Sequence, residues 1–349
     1  MKVARFYEPG DLRVEEIDTP APGPDELLLR VHACATCGTD VKIFHHSHRN
    51  LDSLPRVIGH EIAGEVVDVG GDVGGWQAGD RVQCIAAVPC GRCYQCTQRS
   101  MTVCANLTSI GYQYDGGFAE YMVVPENVLR VDGLNRIPDG LSYAEAAVTE
   151  PLACALNAQE QAQVGLYDDE TVVVVGSGPI GCMHVMLARA RGARRVFLAE
   201  INGERLKLAA DRVDPDAAID SSQQDPVEAV RTLTDGRGAD VIIVAAGSGR
   251  AQEQAIDMAA PRGRISLFGG LPKDKPLITV DANTVHYTEL TIVGPAGSTP
   301  THNQQALEMI GSGAVPVADL ITDRLPLERV HDAIAAVEGG TSIKVVIEP

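Results

Sequence analysis

The sequence predicts a two-module α/β protein: a β-rich module of short alternating strands joined to a doubly wound parallel sheet. Three observations carry this. A length of 349 residues exceeds what one hydrophobic core usually organises. The first third alternates apolar and polar residues between turns rich in Gly and Pro, as half-buried strands do. From Thr171 onward, β-branched runs alternate with helical stretches, the pattern of a parallel sheet covered on both faces.

In the first module Leu27-Leu28-Leu29-Arg30-Val31 is the clearest strand, set off by the turn-rich Thr19-Pro20-Ala21-Pro22-Gly23-Pro24. Ile62 to Gly70 and Asp80-Arg81-Val82 continue the pattern, and a small closed or partly closed β-barrel fits it best. Asp115-Gly116-Gly117 turns into a strand ending near Val124. Ser142, with Glu145 at the third following position, is the signature of a helix start.

The second module opens on Thr171-Val172-Val173-Val174-Val175, a strand feeding directly into Gly176-Ser177-Gly178-Pro179-Ile180-Gly181 and a helix reaching about Arg191. Such glycines permit a tight turn and close approach of backbone to a pyrophosphate, whose charge meets the helix N-terminus, and Pro179 suits the first helical turn. Glu200 closes the next strand, Arg195 to Ala199. A carboxylate there can accept hydrogen bonds from ribose hydroxyls and would repel a 2'-phosphate, so NAD is expected over NADP, with Arg205 the one nearby basic residue that argues the other way. Further strands are expected at Ala217–Ile219, Ala239–Ala245, Gly263–Phe268 and Leu290–Val293, with helices at Pro226–Leu233 and Gln252–Ala260. Strand ends facing the dinucleotide would place Gly247 and Phe268 beside it. Helices at Asn303–Ile310 and near Leu327–Val337 and a strand at Ile343–Ile347 are expected to return to the first module.

Composition narrows the function classes. A net charge of -18 opposes a nucleic-acid or anionic-membrane partner. No apolar run is long enough to span a bilayer, and Met1-Lys2-Val3-Ala4-Arg5 leads to Glu8 and Asp11 instead of an apolar segment, so a cytoplasmic protein is expected. Nine cysteines in such a chain point to metal before disulfides. Cys90, Cys93, Cys96 and Cys104 can enclose one tetrahedral zinc, a closed site without chemistry of its own. An iron-sulfur cluster is the rival, disfavoured because ferredoxin runs place the fourth cysteine sooner and follow it with proline, where this chain has Ala105. Cys34, Cys84, Cys154 and Cys182 are expected to be small buried apolar residues.

A second set is open. Cys37-Gly38-Thr39-Asp40 and Gly59-His60-Glu61 bring a thiolate, an imidazole, a carboxylate and a hydroxyl, donors suited to a zinc with room for a substrate oxygen. Glu150, before Pro151 in an apolar stretch, needs a cationic partner if buried, and a metal ion would be one. The spacing does not decide between Glu61 and Glu150 as the carboxylate ligand.

On these motifs the chain resembles the zinc-containing medium-chain dehydrogenase/reductase family nearly end to end. The resemblance implies a GroES-like catalytic domain over residues 1–148 and 297–349, with a structural zinc lobe at about 88–106. A Rossmann domain over residues 149–296 would be inserted between, with the active site in the cleft. It implies that Cys37 and His60 bind catalytic zinc and that Cys90, Cys93, Cys96 and Cys104 bind structural zinc. Glu150 falls where sorbitol-type and threonine-type dehydrogenases carry glutamate and other relatives a second cysteine. The polyol branch, a homodimer or homotetramer and NAD-linked oxidation of a polar secondary alcohol follow, with L-threonine 3-dehydrogenase-like oxidation as the alternative. One departure is Lys42, where many relatives have a proton-relaying histidine; His45, His46 and His48 lie nearby, and Thr39 would take the substrate proton. A zinc-less quinone-type reductase or a non-catalytic relative would have lost ligands, and none is visibly lost here.

Overall fold

The computed structural model describes residues 1–349 as two compact units, Met1–Ala153 with Gly297–Pro349, and Cys154–Ala296. In the first unit the strand Leu27–Ala35 is central. It pairs antiparallel with Glu61–Val69 on one side and, at its two ends, with Tyr121–Val124 and Lys344–Glu348 on the other. Alternation along Leu27–Ala35 buries Leu27, Leu29 and Val31 completely or nearly so, in a core shared with Phe6, Ile62, Phe118 and Val345. Strand Lys344–Glu348 comes last in the chain yet lies beside one of the first, so the sheet joins segments about as far apart in order as the chain allows.

The second unit contains six parallel strands. From edge to edge they are Ala217–Asp220, Arg195–Glu200, Thr171–Val175, Ala239–Val244, Ala259–Ser266 and Thr291–Val293. The order reverses at Thr171–Val175, and a doubly wound sheet binds ligands at such a point. All five residues of Thr171–Val175 are buried. Gly178 caps the following helix Pro179–Ala190, whose first residue is the proline. Gly181 has no room for a side chain, because a Cβ there would stand 1.8 Å from the Gly176 carbonyl oxygen. That approach lets the helix pack directly on the strand end.

Element ends shift at several places, most clearly at Ala259; the strand expected at Gly263–Phe268 runs Ala259–Ser266. The helix expected over Gln252–Ala260 runs Gly249–Met258, and Ala259 and Ala260 open the next strand instead. Ala259 is paired with Ala239, so ladder pairing across the sheet outweighs the helix preference of alanine. The Ser142 start is present as a capping box with Glu145, but its helix ends at Ala147; a second helix, Thr149–Gln161, carries Glu150 and Pro151 in its first turn, where proline is tolerated.

Replacing Gly181 with Ala should lower the stability of the second unit by about 1–3 kcal/mol through overpacking. Urea unfolding followed by circular dichroism measures this, and an unchanged midpoint would contradict the close packing.

Candidate active site and metal centres

Cys37 precedes the helix Gly38–His46, and its backbone N–H donates to Asp40 Oδ2 at 2.8 Å. Thr39 Oγ1 lies 3.6 Å from Cys37 Sγ. Gly59 has φ +90°, and a Cβ there would meet Phe118 at 2.7 Å and Cys34 Sγ at 2.9 Å, so glycine is required to bring the chain into His60. His60 Nδ1 stands 3.6 Å from Asp40 Oδ1, and both atoms are buried without a hydrogen bond. Burial works to keep the His60 ring neutral, but the Asp40 carboxylate beside it prevails and holds its pKa well above the usual histidine value.

Glu61 faces Lys344. The ammonium is 2.6 Å from one carboxylate oxygen and 2.5 Å from the other, and it donates also to the Thr36 carbonyl at 2.7 Å. Both side chains are buried, Lys344 at 2% and Glu61 at 0% exposure. Burial pushes the Glu61 carboxyl up to about 7 against the pull of Lys344, with the charge of Glu150 adding to the rise. Burial works to lower the Lys344 pKa, yet the Glu61 carboxylate keeps it above the ordinary lysine value.

The ligand atoms of Cys37, His60 and Glu61 lie within 4.8 Å of one another. Donors held at zinc distances of roughly 2.0–2.3 Å around one ion need separations of this order, so the cluster fits a metal ion. Glu150 is buried in the same unit, and its charge acts on Glu61 and Lys344, but it is outside this group of three. Tyr112, His48 and His60 form a row: Tyr112 meets His48 at 4.9 Å between ring centroids and His60 at 6.1 Å. Burial pushes the Tyr112 phenol up to about 12. Lys42, His45 and His46 are exposed, and His45 pairs with Glu338 at 3.1 Å.

The second cluster comprises Cys90, Cys93, Cys96 and Cys104, again within 4.8 Å. All are free, and the 3.5 Å between the Cys93 and Cys96 sulfurs is far from a disulfide bond. Backbone N–H groups of Arg92 and Cys93 lower the Cys90 thiol to about 6, while burial raises Cys96 to about 12. Backbone N–H groups of Cys90 and Asn106 point at Cys104 Sγ, an arrangement for thiolates around a cation. Of the remaining cysteines, Cys34, Cys84 and Cys182 are buried and Cys154 is half-buried.

In the second unit a cavity of about 410 Å³ opens at the strand ends, lined by Gly176, Glu200, Ser222, Asp225, Ala246 and Arg250 among others. Gly178, Pro179 and Ile180 begin the helix beside it and are half-buried, Gly181 lies beneath against Gly176, and Gly247 follows Ala246. Phe268 is turned toward the buried His184, ring centroids 5.0 Å apart. Glu200 is heavily engaged: Oε2 accepts from the Ser177 N–H at 2.9 Å, the Ser177 hydroxyl at 3.0 Å and the Arg205 guanidinium at 3.0 Å, while Oε1 accepts from Ile201 and Asn202 N–H. Burial opposes its charge, but the Ser177 and Asn202 amides and Arg205 outweigh burial and lower its pKa. Glu200 therefore ties the glycine turn to the strand end.

Asp40, Lys344 and Tyr112 are site residues that sequence reasoning passed over. Asp40 had a signal, three residues after the helix-capping Cys37. Lys344 and Tyr112 had none, being brought in by the sheet and by a loop.

An open three-donor cluster, a closed four-thiolate cluster and a dinucleotide turn together define a zinc-dependent alcohol dehydrogenase with a nicotinamide cofactor. The family model "Alcohol dehydrogenase GroES-like domain" matches residues 23–133, and "Zinc-binding dehydrogenase" matches residues 179–312. L-threonine 3-dehydrogenase of Pyrococcus horikoshii is 33% identical, over 95% of this chain and 93% of that protein. Sorbitol dehydrogenase of Halalkalibacterium halodurans is 31% identical, over 97% and 96%. A zinc-binding dehydrogenase structure from Sinorhizobium meliloti, bound to NADP, superposes with a TM-score of 0.91 at 32% identity, covering 100% of this chain and 99% of that one. The chain belongs to the zinc-containing medium-chain dehydrogenase/reductase family.

Lys344→Met should destabilise the first unit by about 3–5 kcal/mol, because it leaves the Glu61 carboxylate buried without its cation. Adding Glu61→Gln should recover part of the loss, and denaturant titration of the single and double variants tests the coupling.

Proposed function

We propose that this dehydrogenase oxidises a secondary hydroxyl of a polyol, sugar, cyclitol or similar polar alcohol to a ketone, with hydride passing to NAD. The observation that carries this reading is the mixed cluster of Cys37, His60 and Glu61, with a second buried carboxylate, Glu150, acting on it. Carboxylates leave a more polar pocket than a pair of thiolates, and a polar pocket suits a polar alcohol. Zinc held there would act as a Lewis acid, of the kind that lowers the pKa of bound water from about 16 to about 7. Cys37 and His60 would hold it, with either Glu61 or Glu150 as the third ligand. Asp40 fixes the His60 ring, and Lys344 fixes the Glu61 carboxylate. Thr39 Oγ1, beside Cys37 Sγ, would accept the substrate hydroxyl's proton while passing its own on toward solvent. Cys90, Cys93, Cys96 and Cys104 would hold a second zinc that orders their loop.

In this reading the catalytic domain, expected over residues 1–148 and 297–349, extends to Ala153 so that it holds Glu150, and the cofactor domain is residues 154–296. NAD is favoured because Glu200 puts negative charge at the strand end where a 2'-phosphate would sit. Arg205 is held by that same carboxylate, which keeps it from serving as a phosphate anchor. The protein would work in the cytoplasm as a homodimer or homotetramer. L-threonine oxidation is the second reading, favoured by the Pyrococcus relative's name.

A panel of polyols, cyclitols, butane-2,3-diol and L-threonine, offered with NAD and with NADP while absorbance of the reduced nicotinamide is followed, tests both readings. Turnover of polyols with NAD supports the first, and turnover of L-threonine alone supports the second. Metal analysis should find two zinc ions per chain, falling to one in Cys37→Ala together with a loss of kcat/KM of about a thousandfold or more. Full activity and full zinc content in that variant would overturn the assignment. Glu200→Ala should release Arg205 and lower the KM for NADP by about tenfold, the return expected from one charge-assisted contact.

A further inference from the structure

We propose that Tyr112 is a specificity-determining residue of the Cys37–His60–Glu61 site, its hydroxyl binding the neighbouring oxygen of a vicinal diol. The inference deepens the dehydrogenase reading above and rests on it.

Three observations place the residue. A Cβ on Gly111 would stand 3.0 Å from the Gly59 carbonyl oxygen, so the loop lies directly against the segment that delivers His60. The Tyr112 N–H donates to the Ser109 carbonyl, which holds the loop in its turn. The ring itself is wedged between His48, edge to face at 72°, and His60, tilted at 46°. A side chain gripped in this way has few rotamers open to it and presents its hydroxyl from a fixed base.

The hydroxyl has nothing to bond within the folded chain. Elsewhere in the same unit Tyr7 donates to Glu15 and Tyr114 accepts from Asn127, whereas Tyr112 makes no side-chain hydrogen bond. The half-buried phenol sits in the field of His60, Asp40, Cys37 and Glu150, the groups that surround the reacting position. It offers one donor and an acceptor to whatever occupies that space. An alcohol whose reacting oxygen lies at the cluster and whose adjacent carbon bears a second hydroxyl can satisfy it. A mono-alcohol of the same skeleton cannot, and a site built to bond a substrate hydroxyl discriminates on that basis.

The test compares wild type with Tyr112→Phe on butane-2,3-diol and butan-2-ol, with zinc content checked in both proteins. Tyr112→Phe should raise KM for the diol roughly three- to tenfold, the effect of one neutral hydrogen bond, while KM for the mono-alcohol stays within about twofold. Calorimetric titration of the diol, which needs no turnover, should show the same weakening. Equal changes for both alcohols, or none for either, would overturn the proposal while leaving the dehydrogenase reading intact. A wild-type protein that turns over none of the panel above would overturn that reading and this inference together, whereas one that oxidises other polyols but not butane-2,3-diol would overturn this inference alone. Should the Phe protein not fold, Tyr112→Met carries the same comparison.

Discussion

The ion pair between Lys344 and Glu61 is the constraint on which the catalytic unit depends. Two charges withdrawn from water are tolerable only because they meet at hydrogen-bond distance and because the Thr36 carbonyl accepts a further hydrogen bond from the ammonium. The pair fastens the last strand to the strand that begins at Glu61, just after His60, and Thr36 stands next to Cys37. Placement of the Cys37–His60–Glu61 cluster and closure of the sheet are thus one problem solved by one lysine. Glu150 adds negative charge to the same neighbourhood, so a cation is favoured there on electrostatic grounds alone.

Asp40 does comparable work from the other side. One oxygen closes the helix start at Cys37 and the other faces His60, so two side chains of the cluster are held near a single buried carboxylate. Such supporting groups set ligand basicity and geometry as much as the ligands do. At the cofactor end Glu200 plays a similar part. With both oxygens already accepting from the turn and from Arg205, it acts as the knot of the glycine loop, and any ribose hydroxyl must share it.

Much of this was legible from the chain because local chemistry left local marks. The glycine turn between a β-branched run and a helix, the four-cysteine spacing and the Ser142–Glu145 box are each written within a few residues, and each is present in the structure. What could not be read was non-local. Lys344 is an unremarkable lysine in a short strand until the sheet sets it beside Glu61. Tyr112 is one of eight tyrosines until a loop folds it over His60. The boundary at Ala259 was misjudged because alanines favour helix locally and only the pairing with Ala239 makes them strand.

The order of the strands also bears on how the protein is born. Cys37, His60 and Glu61 leave the ribosome early, but the lysine that neutralises the buried glutamate follows only after the whole inserted sheet has been made. During that interval the half-built catalytic unit carries an uncompensated carboxylate, and the end of the central strand at Cys34 and Ala35 lacks its last partner. The buried pair can therefore close only once the last strand has been made, so the catalytic unit is completed by the end of the chain.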